Sequence, residues 1–246
     1  MKTIFLTSNI GGFVVEDGNY QPCPLDARNK LIENLKQCLP GKANCLMVSA
    51  FPDNAVVNDG MCMLQEASFA MSGLPQESIA ICDDRNQSEL GELIAKANLV
   101  ILCGGHVPTQ NRFFQEIHLK EYLERFDGVI IGISAGSMNS AALVYAQPEM
   151  EGEAIDPSYQ RFIQGLGLTE IRILPHFEEL KGTTLDGLRI IEDISLPDSM
   201  EHPYYALVDG SYILCDGDAN RLYGEGYFVS GGTISQICRE GEVVIL

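Results

Sequence analysis

The sequence predicts an α/β protein with a largely parallel, doubly wound sheet in a three-layer αβα arrangement and an antiparallel C-terminal extension. Three observations carry that expectation. Short apolar runs alternate with amphipathic stretches, the signature of βαβ units. The runs are continuously apolar rather than alternating, as strands covered on both faces should be. From Tyr204 onward the character changes to short runs separated by Asp-Gly, Gly-Gly and Glu-Gly pairs, which are hairpin signals.

The elements follow in order. Strands are expected at Thr3–Thr7, Cys45–Ser49, Ser78–Cys82, Leu99–Cys103 and Val129–Ile133. A helix over Ala27–Cys38 places Leu31, Leu35 and Cys38 on one face and stops before Pro40-Gly41. Gly60–Met71, Ser88–Ala97 and Phe113–Phe126 are further helices, with Ser88 a natural N-cap. A helix over Ala135–Val144 is followed by a polar loop from Gln147 to Gln160, a strand at Ile171–Leu174 and a helix near Thr184–Ile194. The terminal runs Tyr204–Val208, Tyr212–Cys215, Tyr227–Val229 and Val243–Leu246 supply the antiparallel strands.

Bulk properties narrow the function. A chain of 246 residues, 46% hydrophobic and 20% charged, suits one globular domain spanning 1–246, and no repeat or Pro/Gly/Ser-rich linker divides it. The net charge of −18 repels phosphate backbones and anionic lipid surfaces, so neither nucleic acid nor membrane is an expected partner. The apolar run near the N-terminus is too short for a signal-peptide core or a membrane span, which makes the cytoplasm the default location. Eight cysteines contain no C-x-x-C pair, and Cys45, Cys82, Cys103 and Cys215 fall in apolar runs; reduced, packed thiols are expected.

Chemistry concentrates in Gly132-Ile133-Ser134-Ala135-Gly136. The pentapeptide sits between a buried strand and a helix, the setting in which a nucleophile is held on a sharp, exposed turn. Glycines on both sides let strand and helix approach closely. Ser134 then lies at a helix N-terminus, where free N–H groups favour developing negative charge. The plainer alternative is a serine that only caps the helix. One strand earlier, Cys103-Gly104-Gly105-His106 reaches the same carboxyl rim, where open parallel sheets bind ligands. Gly104 and Gly105, with Ala135, can aim backbone N–H groups at an oxyanion.

A serine nucleophile needs a base. His118 reads as a helix-surface residue, and His202 lies in a loop with no strand end before it. His176 follows a strand through Pro175 and turns at the rim, which favours it, while His106 on the glycine loop is the competitor. For the orienting acid, Asp209 ends a strand near a rim, although Asp-Gly is also a common hairpin turn. Asp156, Glu178, Glu179 and Glu201 are the alternatives.

Leu-Cys-Gly-Gly (102–105), Gly-Ile-Ser-Ala-Gly-Ser (132–137) and Leu-Pro-His-Phe (174–177), taken together and in this order, resemble the peptidase E and cyanophycinase family of serine peptidases, whose fold is similar to that of class I glutamine amidotransferases. The resemblance covers essentially the whole chain. It implies Ser134 as nucleophile, His176 as base and Asp209 at the position of the acidic third member, which is often Glu. Serine at 134, where glutamine amidotransferases carry cysteine, argues against thiolate glutamine hydrolysis.

Two departures bear on specificity. His106 stands where the family usually has Asn or Asp, which makes it a candidate substrate-binding residue. Leu185 stands where peptidase E has an arginine that helps bind an N-terminal aspartate. The expected activity is therefore cleavage of a small peptide or amide by a Ser-His-acid set, with no metal or organic cofactor, and with a homodimer allowed. Rival readings are an esterase or amidase on a non-peptide acyl group, a non-catalytic metabolite binder, and a redox sensor acting through Cys103.

Overall fold

The computed structural model describes residues 2–246. Strand β1 (Thr3–Thr7) leads into β2 (Gly11–Glu16) and β3 (Asn19–Leu25). There follow α1 (Leu31–Cys38), β4 (Ala43–Val48), α2 (Ala55–Met71), β5 (Gln76–Cys82), α3 (Leu90–Lys96) and β6 (Leu99–Leu102). Next come α4 (Val107–Glu116), α5 (Leu119–Arg125), β7 (Val129–Ile133) and α6 (Ala135–Asn139). After these the elements shorten: β8 (Leu143–Tyr145), β9 (Phe162–Gln164), β10 (Ile173–Leu174), α7 (Phe177–Leu180), β11 (Thr184–Leu185), β12 (Leu188–Arg189) and α8 (Leu196–Asp198). The remaining strands are β13 (Tyr204–Leu207), β14 (Tyr212–Cys215), β15 (Asn220–Tyr223), β16 (Gly226–Ser230), β17 (Thr233–Cys238) and β18 (Val243–Ile245).

The main sheet runs β18-β15-β14-β1-β7-β6-β4-β5. From β1 to β5 it is parallel, and β14, β15 and β18 add antiparallel strands beyond β1. Alternate residues of each parallel strand enter opposite layers. Leu6, Val48, Leu102 and Ile130 pack with Leu90, Phe113 and Leu123 on one side. Phe5, Met47, Ile101 and Ile131 pack with Leu31, Leu35 and Phe69 on the other. The period of two therefore puts one apolar set under α3–α5 and the other under α1 and α2, which makes the three layers.

A second sheet, β10-β13-β16-β17, has its own cluster around Tyr145, Leu174, Phe177 and Tyr204. Only part of the C-terminal region thus extends the main sheet; the rest builds this one. Asp209-Gly210 is not a hairpin turn. It carries the chain from β13 in the second sheet to β14 in the first, with Ser211 N–H bonded back to Val208 O at 2.9 Å. The Gly231-Gly232 pair does close a hairpin, between β16 and β17, with both φ values positive as the right-handed strand twist demands.

Four expected helices differ from what forms. The segment near Thr184–Ile194 is a hairpin, β11–β12, turned at Asp186 (φ 53°) and Gly187 (φ 81°), followed by a π-helical turn over Ile190–Ser195. The apolar spacing of Leu185, Leu188 and Ile191 fits a helix, but the Asp-Gly pair prefers the left-handed turn. The helix after Ser134 ends at Asn139 instead of Val144, because Ser140 Oγ bonds back to Gly136 O and Leu143–Tyr145 pairs with β9. The helix expected at Phe113–Phe126 is two helices, broken at His118 (φ 52°). A 3₁₀ turn over Gln87–Glu89 takes the place of a Ser88 cap, and α3 starts at Leu90.

Among the described residues no helix is long and apolar enough to cross a membrane. All eight cysteines are unpaired, and the four predicted to be buried are buried.

Gly136 marks the tightest approach in the fold. A Cβ there would lie 2.1 Å from the backbone oxygen of Leu102. Gly136→Ala should destabilise the protein by about 1–3 kcal/mol, since a strand carbonyl has nowhere to move. Urea denaturation should show a lower midpoint at unchanged slope.

Candidate active site

Three neighbouring strands, β1, β7 and β6, end at one rim and deliver Ser8-Asn9, Ser134 and Gly104-Gly105. Ser134 leaves β7 at φ 50°, ψ −112°, a conformation that L residues rarely adopt. The turn is held by its neighbours. Thr7 O accepts from Ser134 N–H (3.1 Å) and Ser137 Oγ (2.9 Å), Thr7 N–H donates to Ser137 Oγ (2.8 Å), and Thr7 Oγ1 donates to Gly132 O (2.6 Å). Ser134 O then accepts from Ser137 and Met138 N–H to begin α6. At Gly132 an added Cβ would sit 2.6 Å from Ser137 Cα, so the glycine is required by strand–helix proximity.

The second sheet supplies the partners. Its strands β10 and β13 are parallel, with Leu174 opposite Ala206, so the residues beyond their carboxyl ends emerge side by side. Those residues are His176 and Asp209. His176 Nδ1 lies 2.8 Å from Asp209 Oδ1, and His176 Nε2 lies 2.9 Å from Ser134 Oγ. A carboxylate only accepts, so Nδ1 carries the proton and Nε2 presents its lone pair to the serine hydroxyl. His176 adopts φ 56°, and its N–H donates to Ser8 Oγ at 2.8 Å. Ser8 Oγ donates in turn to Asp209 Oδ1 at 2.6 Å, and Asn9 Nδ2 donates to Oδ2 at 3.2 Å.

Electrostatics follow from these contacts. Burial alone would lower the His176 pKa, but the hydrogen bond and charge of Asp209, with Glu179 and Glu149, outweigh it and hold the imidazole above its usual value. Burial would raise Asp209, yet donors His176, Ser8 and Asn9 and the charge on His176 keep its carboxyl below the usual range. Cys103, at the same rim, is different. Burial pushes its thiol up to about 12, which leaves no thiolate for redox sensing.

The glycine loop lies against the turn. A Cβ on Gly104 would come within 3.4 Å of Ser134 Cβ, and one on Gly105 within 2.6 Å of Ala50 Cβ. A buried amide network sets its position. Gln110 Nε2 donates to Cys103 O (2.6 Å), Asn139 Nδ2 donates to Gln110 Oε1 (3.0 Å), and Asn111 Nδ2 donates to Asn139 Oδ1 (3.0 Å). The loop and the helix after Ser134 are thus joined by side-chain amides, in addition to the apolar packing of Val107 and Phe113 with Ala135 and Met138.

The other predicted residues take varied places. His106 stands at the start of α4, outside the cavity lining, with Nδ1 2.8 Å from Thr109 Oγ1 and Nε2 2.8 Å from Glu153 Oε1. Glu153 also accepts the N–H groups of Glu149 and Met150, so His106 ties the 147–160 loop to α4. Of the competing acids, Asp156 caps Ser158 and Glu178 pairs with Lys181; the Glu179 carboxylate acts on His176 through its charge, while its backbone N–H donates to His176 O at 2.9 Å. Leu185 packs against the core of the second sheet. His118 is exposed, and the ring of His202 lies 4.5 Å from that of Phe162.

Ser8, Asn9, Gln110 and Asn139 were not singled out by the sequence. The one available signal for Ser8 and Asn9 was their position, directly after a strand that ends at the rim. A cavity of about 250 Å³ opens beside Ser134, His176 and the glycine loop, and is lined also by Gly12, Phe13 and Gln65 of the β2–β3 hairpin and α2.

The pairing also sets a titration. Asp209→Asn should drop the His176 pKa, because the anion that offsets burial is gone. NMR of the imidazole should place the wild-type midpoint above ~6.5 and the variant below the wild type.

A model of peptidase family S51 matches residues 48–223. No curated protein sequence matches the chain. Among solved structures, a peptidase E candidate from Listeria monocytogenes EGD-e, a 1.5 Å crystal structure, superposes with a TM-score of 0.57 at 14% identity, covering 96% of this chain and 99% of that one. At that identity the likeness concerns the fold, a large mostly parallel sheet flanked by helices.

Proposed function

The chain belongs to peptidase family S51 and is a serine-type peptidase, and from that premise we propose that Ser134, His176 and Asp209 form its catalytic triad. The observation that carries this reading is the continuous chain of contacts, Ser134 Oγ to His176 Nε2 at 2.9 Å and His176 Nδ1 to Asp209 at 2.8 Å. In this reading the turn at Ser134 is a nucleophile elbow. His176 takes the hydroxyl proton as Oγ attacks the substrate carbonyl carbon, and the imidazolium is stabilised by an Asp209 that stays ionised. The tetrahedral oxyanion is received by the backbone N–H groups of Gly105 and Ala135, with Gly104 shaping the loop. His176 then protonates the leaving amine, and a water activated by the same imidazole releases the acyl group.

The substrate is a small peptide or amide. A 250 Å³ cavity is smaller than the ~300–1,000 Å³ clefts that bury drug-sized ligands, and suits one side chain beside the scissile bond. His106 supports the site by anchoring the 147–160 loop at the mouth of the glycine loop. Eight unpaired thiols suit a reducing compartment, and we place the enzyme in the cytoplasm.

A fluorophosphonate probe should label wild-type protein at Ser134 and leave Ser134→Ala unlabelled; equal labelling of both would sink the triad. In Asp209→Asn the imidazole loses the partner that fixes its tautomer, and kcat should fall on the order of 10³–10⁴-fold. In wild-type protein kcat/KM should rise with pH through the raised His176 pKa, because only the neutral imidazole accepts the serine proton. Ser8→Ala removes one donor to Asp209 and the acceptor of the His176 N–H. Its kcat should fall about 10-fold with the same pH limb moved.

A further inference from the structure

Gln65 is a polar side chain of the cavity that the triad does not use. It sits on α2 one turn after Met61 and one turn before Ser68, on the face that α2 turns toward the β2–β3 hairpin. The residue is 9% exposed and lines the cavity, and its Nε2 is buried without a hydrogen-bond partner. A native buried amide donor almost always has a partner, because leaving water without one costs stability. The helix register around it is fixed. Ser68 Oγ lies in reach of the carbonyls of Gly12 and Leu64 and can donate to one at a time, which clips the hairpin to α2. Gln65 therefore lines the same cavity as Ser134 and the glycine loop.

The rest of the wall sets the chemistry of what could pair with it. Ile10, Phe13, Met47, Met61 and Leu64 make it mainly apolar, and none of the described residues lining it is Lys or Arg. An aspartate side chain entering here would lose its hydration with no Lys or Arg to meet it, and His176 is already paired with Asp209. A purely aliphatic side chain would match the walls but leave the Gln65 N–H₂ unpaired. A neutral side chain with an apolar shaft and a carbonyl at its tip satisfies both conditions.

We propose that Gln65 is the specificity-determining residue of this cavity, and that the enzyme prefers substrates whose acyl-side residue carries a neutral hydrogen-bond-accepting side chain, glutamine above all. The assignment rests on Ser134 being the nucleophile. It names the side chain that the site selects. The Gln65 N–H₂ donates to the substrate carboxamide oxygen, while Met61 and Phe13 cover its methylenes.

The test is a set of X-Leu dipeptides with X as Gln, Asn, Met, Leu and Asp, assayed with wild type, Gln65→Leu and Gln65→Met. Fluorophosphonate labelling at Ser134 reports that each variant is folded, and separates this question from the triad itself. Wild type should favour Gln-Leu over the near-isosteric Met-Leu by kcat/KM on the order of 10–100-fold, with Asp-Leu poorest. Both variants should lose most of that preference, so that the Gln-to-Met ratio approaches one. The proposal is overturned if labelled wild type prefers Asp-Leu or cleaves no glutaminyl substrate. It is equally overturned if the variants lower every substrate by the same factor, which would make Gln65 a packing residue. Absence of labelling in wild type would instead remove the triad on which the assignment rests.

Discussion

One carboxylate holds this site together. Asp209 lies on the crossing from the second sheet to the first and gathers donors from both: Ser8 and Asn9 from the end of β1, and His176 from the end of β10. Without it, the two packed sheets would still meet, but the polar contacts left between their rims here would be those of His176 with Ser8 and Ser134. Distances of 2.6–2.8 Å to two of these donors are those of charge-assisted hydrogen bonds, which are shorter and stronger than neutral ones. The same charge that joins the sheets sets the imidazole tautomer. Architecture and acid–base chemistry thus depend on a single ionised group.

The serine side of the site is built by another device. Its backbone conformation is unfavourable, and the surroundings over-determine it through the Thr7–Ser137 pair, the absence of a Cβ at Gly132 and Gly136, and the contact with Gly104. The amides of Gln110, Asn111 and Asn139 then fix the glycine loop relative to the helix after Ser134. Amides suit this role because each can donate and accept at defined angles. An apolar contact is non-directional and would fix the loop's position less sharply.

The parallel strands were legible because burial on both faces leaves an unbroken apolar run. The β2–β3 hairpin was not, since Phe13, Val14, Val15 and Tyr20 are exposed and no buried face shows as an alternation. Its Asp17-Gly18 turn, with both φ values positive, was the readable sign. Ser134 and His176 could be found from local context, because each follows a strand end with its own turn chemistry. Asp209 could be ranked only by position: the register of β10 against β13, which places it beside His176, depends on pairing between distant segments. Ser8 and Gln65 lie further out of reach. Neither has a local motif, and their roles exist only once β1 and α2 meet parts of the chain far away in sequence.

The central place of β1 has a consequence for how the protein is made. Its two sheet neighbours are β7, at residues 129–133, and β14, at 212–215. At ~5–20 residues per second, the first of these neighbours leaves the ribosome roughly 6–25 seconds after β1, and the second later still. Throughout that interval the nascent chain carries an apolar strand with both edges open, the species most prone to wrong pairing. Because Ser8 and Asn9 end that strand and Asp209 precedes β14, their contacts with one another close only after the crossing at residue 209 has left the ribosome, some two hundred residues after β1.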